Sequence, residues 1–138
     1  MDPEGGERVL GHEQNPPGPQ RLTLPPTVVA SHLRSCAEDL ATSLTAPGTA
    51  ATVPELLQVV EQLVAGQQAL AVALDGMALR VEGGGDGALA AAPAVDVEVV
   101  AEVLRAAATA VGCSADALGE SGPSFECVSE SVTPDTRL

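Results

Sequence analysis

The chain lacks most of the residues that usually dominate protein cores and interfaces. Its 138 residues include no Trp, Tyr, Ile or Lys, and Phe125 is the sole aromatic residue. Aromatic rings contribute most to core and interface burial, so the core must be built from Leu, Val and Ala. Proteins that bind single-stranded nucleic acid usually stack bases on aromatic side chains, and this sequence offers no such platform.

Positive charge is also scarce. Six Arg stand against 19 acidic residues, which gives a net charge of -13 and a pI near 4.2. A surface of this kind repels phosphate and gains nothing from counterion release, so we expect no direct binding to DNA or RNA. Anionic membrane surfaces are disfavoured for the same reason.

Cysteines are few and scattered. Cys36, Cys113 and Cys127 form an odd set that matches neither a disulfide framework nor a zinc knuckle, so reduced thiols and a cytoplasmic location are expected. The N-terminus lacks the apolar core of a signal peptide. The most apolar window, residues 69–81, is interrupted by two charged residues and is too short to span a bilayer, so no membrane partner is expected.

The first part of the chain contains a polar arm followed by a helix. Residues 1–26 are rich in Pro, Gly, Glu and Gln without periodicity, which predicts a disordered arm. A helix is predicted over residues 27–45, ended by Pro47 and Gly48. Its apolar stripe has spacings of 4, 3, 4 and 4 residues and consists of Val29, Leu33, Cys36, Leu40 and Leu44.

A long central helix is predicted over residues 53–81. Thr52 and Glu55 have the spacing of a capping box, with Pro54 in the first turn. The following apolar positions alternate by 4 and 3 residues without a break, which is a heptad pattern. Position d holds Leu56, Leu63, Leu70 and Met77, and position a holds Val60, Gln67, Leu74 and Val81.

The positions flanking this seam indicate more than one neighbour. Position e holds Leu57, Val64, Ala71 and Ala78, and position g holds Val59, Gly66, Ala73 and Arg80. Two-stranded coiled coils usually carry charges there, whereas seven of these eight are apolar or Gly, which favours a bundle. The central helix is about 43 Å long and the first about 28 Å, so part of the central helix remains uncovered. The eight a and d residues are therefore the predicted interface for a second copy.

A third helix is predicted over residues 94–118, after a flexible linker at residues 82–93 that is long enough to reverse the chain direction. Its stripe alternates larger residues with Ala and consists of Val97, Ala101, Leu104, Ala108, Val111, Ala115 and Leu118. The Ala positions permit a close approach to the central helix. The pattern persists through Gly112, which favours one continuous helix; the alternative is an end at Gly112 and a separate turn capped by Ser114.

The last segment, residues 119–138, is predicted to be a flexible acidic tail. Gly119 to Pro123 should break any helix, although Phe125, Val128 and Val132 can form one short apolar stripe. The predicted fold is therefore all-α: a three-helix up-down-up antiparallel bundle with a long central helix, a disordered N-terminal arm and a C-terminal tail.

Candidate chemical sites are weak. His32 and Cys36 have the helical spacing of two metal ligands, but Cys36 lies on the apolar stripe and no second pair supports a site. The Gly-rich run at residues 82–87 is separated from the next helix and lacks a Lys, so it is a linker and no phosphate cradle. The acids Glu38, Asp39, Glu98 and Glu102 are expected on solvated faces. No catalytic, cofactor-binding or metal-binding residue is predicted, and no small-molecule substrate is evident.

Gln67 is the one polar residue within the heptad seam. A buried polar side chain at position a can fix register or oligomeric state. Alternatively, Gln67 points to solvent or to a neighbouring backbone carbonyl. Both interpretations are compatible with the pattern.

These patterns support two functional hypotheses. The first is a small acidic non-enzymatic interaction or accessory protein that self-associates as a homodimer through the central helix, or that binds another helical protein. The second is an acidic regulatory binder, antitoxin-like or an anti-regulator, of a basic or nucleic-acid-binding protein partner.

Overall fold

A computed structural model describes residues 23–48, 50–85 and 87–138. Within these ranges the chain is all-α, with helices α1 (Pro26–Thr45), α2 (Val53–Gly83), α3 (Ala94–Gly119) and α4 (Gly122–Ser131). The predicted all-α fold class is confirmed, and the three predicted helices lie where the hydrophobic spacing placed them. Most of the predicted N-terminal arm lies outside the described residues.

The chain divides into two compact units, Met1–Ser43 and Leu44–Leu138. The described part of the first unit is most of α1, in which no residue is buried. Arg34 and Glu38 form an exposed ion pair one turn apart, with 3.7 Å between Nε and Oε1. The predicted packing of α1 on α2 stays a prediction.

The start of α2 is fixed by the capping box that the sequence predicts. The Thr52 backbone N–H donates to Oε2 of Glu55 at 2.7 Å, and the Glu55 N–H donates to the Thr52 hydroxyl at 3.4 Å. Two of the free N–H groups at the helix end are thereby satisfied. The backbone hydrogen bond from Thr52 lowers the pKa of the Glu55 carboxyl below its ordinary value.

The second unit is built around α2, on which α3 and α4 pack. An ion pair joins Glu82 near the end of α2 to Arg105 in the first half of α3. The far end of α3 and the start of α4 line a groove together with Leu57 and Val64 of α2. The helices α2 and α3 are therefore antiparallel. Between them the described linker residues form successive turns, with the Leu89 N–H donating to the Gly84 carbonyl at 2.8 Å.

Helix α3 continues through Gly112 to Gly119, as the apolar periodicity predicts. Beyond Gly112 the stripe remains in phase, and Ala115 is fully buried. Burial of that further turn offsets the cost of about 1 kcal/mol for Gly in a helix interior. The alternative helix end at Gly112 is wrong.

The flexible tail predicted for residues 119–138 contains a helix instead. In α4, Pro123 occupies the first turn, where its missing N–H costs nothing. Phe125 and Val128 line an apolar groove with Val53 and Leu138. The chain then returns to the start of α2, where the Leu138 N–H donates to the Ala51 carbonyl at 3.0 Å. Contact with α2 thus orders a segment too short to be stable alone.

Candidate interaction face on the helical hairpin

The buried residues of α2 and α3 are mostly small. In α3 the buried residues are Ala101, Ala108 and Ala115, all at positions where the sequence predicts close approach. In α2 the buried residues are Val53 and Ala78. Methyl side chains keep the two backbones close together, so the larger residues on either side lie at the margins of the seam.

Ala78 is at position e, so the buried stripe of α2 is rotated from the predicted a/d seam toward a and e. Among the eight predicted interface residues, six are half-buried and two, Leu63 and Met77, are exposed. The half-buried six are Leu56, Val60, Gln67, Leu70, Leu74 and Val81. The a-position residues thus face α3, whereas the d-position residues lie toward one flank of α2.

The geometry of an antiparallel pair determines which flanks share a face. Two antiparallel helices are related by a two-fold axis that is perpendicular to the plane containing both helices. Rotation about this axis exchanges the two helices but does not exchange the two faces of the hairpin. Residues one position before a seam residue therefore lie on the same face of both helices, and residues one position after lie on the other. The Glu82–Arg105 ion pair agrees with this, because each residue follows a half-buried seam residue, Val81 and Leu104.

The first of these faces carries no charge along most of its length, and its charged residues Arg80 and Asp96, which precede Val81 and Val97, lie at the end nearest the linker. On α2 it consists of Val59, Leu63, Gly66, Leu70, Ala73 and Met77. On α3 it continues with Val100, Val103, Ala107 and Ala110. We call these ten residues the uncharged face. None of these ten positions is charged, although the chain has a net charge of -13.

The opposite face is acidic. It carries Glu61, Asp75, Glu82, Glu98, Glu102 and Asp116, with Arg105 among them. The Glu82 carboxylate raises the pKa of the Arg105 guanidinium, and the charges of Glu102 and Asp75 add to this effect. Val72 and Leu79 are exposed on this side as single apolar residues, which is ordinary for a protein surface.

Gln67 faces the α2–α3 seam. Its Oε1 is shielded from solvent and accepts no hydrogen bond from the described residues. A buried amide oxygen without a donor costs about 1–3 kcal/mol. This oxygen does not reach solvent, and the residue contributes polarity where a Leu would pack.

The described residues contain no cluster of three or more His, Cys, Asp or Glu suited to a metal. Cys36, Cys113 and Cys127 are exposed free thiols on separate segments. The acids Glu38, Asp39, Glu98 and Glu102 are exposed on their helices. The two grooves beside α4 are mainly apolar and bring together no nucleophile with a base.

The fold and this face define an all-α protein with an antiparallel hairpin whose two sides differ in charge. Within the described ranges, no helix combines the length and the apolarity needed to cross a membrane. In comparisons with known proteins, no family model, no curated protein and no solved structure matches the chain.

Proposed function

We propose that this protein is a small acidic, non-enzymatic interaction or accessory protein that self-associates through the central helix α2. The observation that carries the proposal is the uncharged face. It leaves Leu63, Met77, Val100 and Val103 exposed together on one side of the α2–α3 hairpin. Exposed apolar patches bordered by polar residues are typical of protein–protein contact sites.

The size of the exposed surface fits a moderate dimer. The exposed fractions of these four side chains are 37, 52, 48 and 61%, which together amount to about two whole side chains per copy. Burying a full Val, Leu or Met contributes about 1.5–3 kcal/mol, so two copies gain about 6–12 kcal/mol. Association costs about 4–15 kcal/mol in lost freedom, so the net gain is at most about 8 kcal/mol and the dimer is micromolar at its tightest.

A second copy is the occupant that suits this face best. Two molecules of charge -13 repel each other wherever their acidic surfaces meet, and the uncharged face is where that repulsion is smallest. The face also lacks the basic residues that would select an acidic partner, and it lacks the acids that would select a basic one. A two-fold pairing brings the same apolar patch together from both sides.

Two single substitutions, one on each face of the hairpin, test this proposal when their effects on self-association are compared. Met77→Glu places a carboxylate in the uncharged face, whereas Leu79→Glu makes the same chemical change two residues further on, on the acidic face. We expect Met77→Glu to weaken association at least tenfold, about 1.4 kcal/mol, because two new charges would be desolvated. Size-exclusion chromatography with light scattering measures this.

Leu79→Glu is the matched control and should retain the wild-type association. Circular dichroism of both variants checks that α2 still forms. Equal loss of association in both variants, or a wild-type chain that stays monomeric at tens of micromolar, would contradict the proposal. A hetero-complex with another helical protein that excludes the second copy would also contradict it.

The acidic face favours a second candidate function. A basic or nucleic-acid-binding protein could bind there, which would make the chain an antitoxin-like or anti-regulatory binder. Such a complex should weaken steeply with salt, because the charges are exposed. Titration of a basic partner at 50 and 500 mM NaCl distinguishes this function from self-association, which does not need opposite charges.

We further propose a cytoplasmic location. The supporting observation is that all three cysteines are exposed and unpaired, which suits a reducing compartment. Thiol titration of the native protein from its host should find three free thiols; a disulfide would place it elsewhere.

A further inference from the structure

The outer strip of α2 on the uncharged face has its own heptad pattern. Its residues are spaced by 4, 3, 4, 3 and 4, and their sizes alternate along the middle of the strip. Leu63, Leu70 and Met77 are large, whereas Gly66 and Ala73, which lie between them, are small. A strip with this spacing can form a second coiled-coil seam on the same helix.

A parallel pairing of two such strips is unfavourable. In register, each layer would contain two copies of one residue, so Gly66 would meet Gly66 and leave a gap while Leu70 met Leu70. Arg80, at the edge of the strip, would lie beside the Arg80 of the second copy. Like charges at such positions are destabilising.

An antiparallel pairing centred on residue 68 removes both problems. Residue 68 is the midpoint of Val53–Gly83, so the two helices overlap along their whole length. Gly66 of one copy then faces Leu70 of the other, and Ala73 faces Leu63. In the outer layers of the pair Met77 faces Val59, so each layer contains one larger and one smaller residue. This is the size complementarity that close packing requires.

Charge supports the same register. Arg80 and Glu55 lie on the same edge of the α2 strip, and the two-fold axis places that edge of both copies on the same side of the pair. Arg80 of one copy therefore lies beside Glu55 of the other at both ends of the pair. The Glu55 carboxylate is held in place by its bonds to Thr52. Opposed helix dipoles also favour the antiparallel arrangement.

We infer that two copies of the chain pair through antiparallel α2 helices, with Gly66 against Leu70 and Ala73 against Leu63 of the second copy. The inference rests on the proposed self-association and specifies its geometry. The occupant of the α2 strip is thus a second copy in one defined register. The start of α4 lines a groove with Leu57, Glu61 and Val64 on the other flank of α2, and Leu63, Gly66, Ala73 and Met77 of this strip are exposed.

Disulfide cross-linking tests the register directly. In a background with Cys36, Cys113 and Cys127 replaced by Ser, one variant carries Leu63→Cys and a second carries Ala73→Cys. The antiparallel register predicts a cross-link between the two variants when they are mixed and oxidised. Neither variant should cross-link to itself, because two residues 63 lie about 15 Å apart along the axis.

A parallel dimer gives the opposite pattern, in which each variant links to itself. Val59→Cys with Met77→Cys is a second pair for the same register, should the first pair weaken the dimer. Leu79→Cys on the acidic face is the control and should not link to any of the four. Mass spectrometry identifies which chains are joined.

The oligomeric state of the cysteine-free parent separates this inference from the proposed function. A dimeric parent with cross-links only between unlike variants supports both. A dimeric parent with self-linked variants, or with no link from either pair, overturns the register and leaves self-association standing. A monomeric parent at tens of micromolar overturns both.

Discussion

At the scale of single residues, Gln67 is the clearest departure from an apolar seam. Its carboxamide oxygen is buried without a donor among the described residues. We expect Gln67→Leu to raise the free energy of unfolding by about 1–3 kcal/mol, because the unpaired polar atom is replaced by a packing side chain. Urea denaturation followed by circular dichroism measures the change.

The matched control is Gln68→Leu, which changes the neighbouring, exposed residue and should alter stability by less than about 0.5 kcal/mol. A loss of stability in Gln67→Leu would show that the amide holds a hydrogen bond that the leucine cannot replace. It would also favour the interpretation of Gln67 as a residue that fixes the register of the helices.

Small residues in α3 give a second residue-scale prediction. Ala108 is buried in α3, the helix that packs on α2. Ala108→Leu should lower the free energy of unfolding by about 1–3 kcal/mol, because overpacking forces the helices apart. Ala106→Leu, on the exposed side of the same helix, should be nearly neutral, and equal effects in thermal unfolding would argue against the α2–α3 seam.

At the scale of elements, the sequence predicted the bounds of the helices better than which side of α2 faces α3. The regular spacing of apolar residues and the capping box of Thr52 and Glu55 predicted the position of α2. The unbroken apolar spacing in α3 predicted that this helix continues past Gly112. The heptad assignment placed Leu63 and Met77 in the seam, whereas the structure leaves them exposed. The small side chain of Ala78 allows α3 to pack closely at position e. The spacing of apolar residues alone does not show on which side of α2 the neighbouring helix packs.

Helix α4 was missed because its composition resembles a tail. The segment is rich in Ser and Glu, and Gly119 to Pro123 indicates a break. The available signals were Pro123 in a first turn and the spacing of Phe125 and Val128. Those signals indicate a stable helix only when the apolar side of the segment can pack near Val53 and Leu138. A local sequence pattern contains no information about that tertiary contact.

The capping box of α2 gives an element-scale prediction about pH. The folded-state pKa of Glu55 is lowered by its hydrogen bonds to Thr52. Its stabilisation is therefore complete above the unfolded-state value of about 4.3 and is lost as pH falls through the lower folded-state pKa. Glu55→Gln, which can still accept the bond, should remove that part of the acid dependence.

Urea titrations of wild type and Glu55→Gln between pH 2.5 and 6 test this. The wild-type advantage should be largest near pH 6 and shrink on acidification. Comparison of the two chains cancels the effect of the remaining carboxylates, which they share. A difference between the chains that grows toward low pH would contradict the role assigned to Glu55.

At the scale of the whole molecule, charge opposes the self-association that the uncharged face favours. A dimer brings together two chains of charge -13, so screening by salt should strengthen it. We expect the dimer dissociation constant to fall between 20 and 500 mM NaCl, measured by sedimentation velocity. Weaker association at high salt would indicate that ion pairs, and not the apolar strip, hold the copies together.

The central claim is that the uncharged face of the α2–α3 hairpin holds two copies of this chain together. Sedimentation equilibrium of the unaltered protein from about 1 to 100 µM tests it most directly. The account predicts a mass that rises from that of the 13.8-kDa chain to twice that value within this range. A single species of 13.8 kDa at every concentration would contradict it.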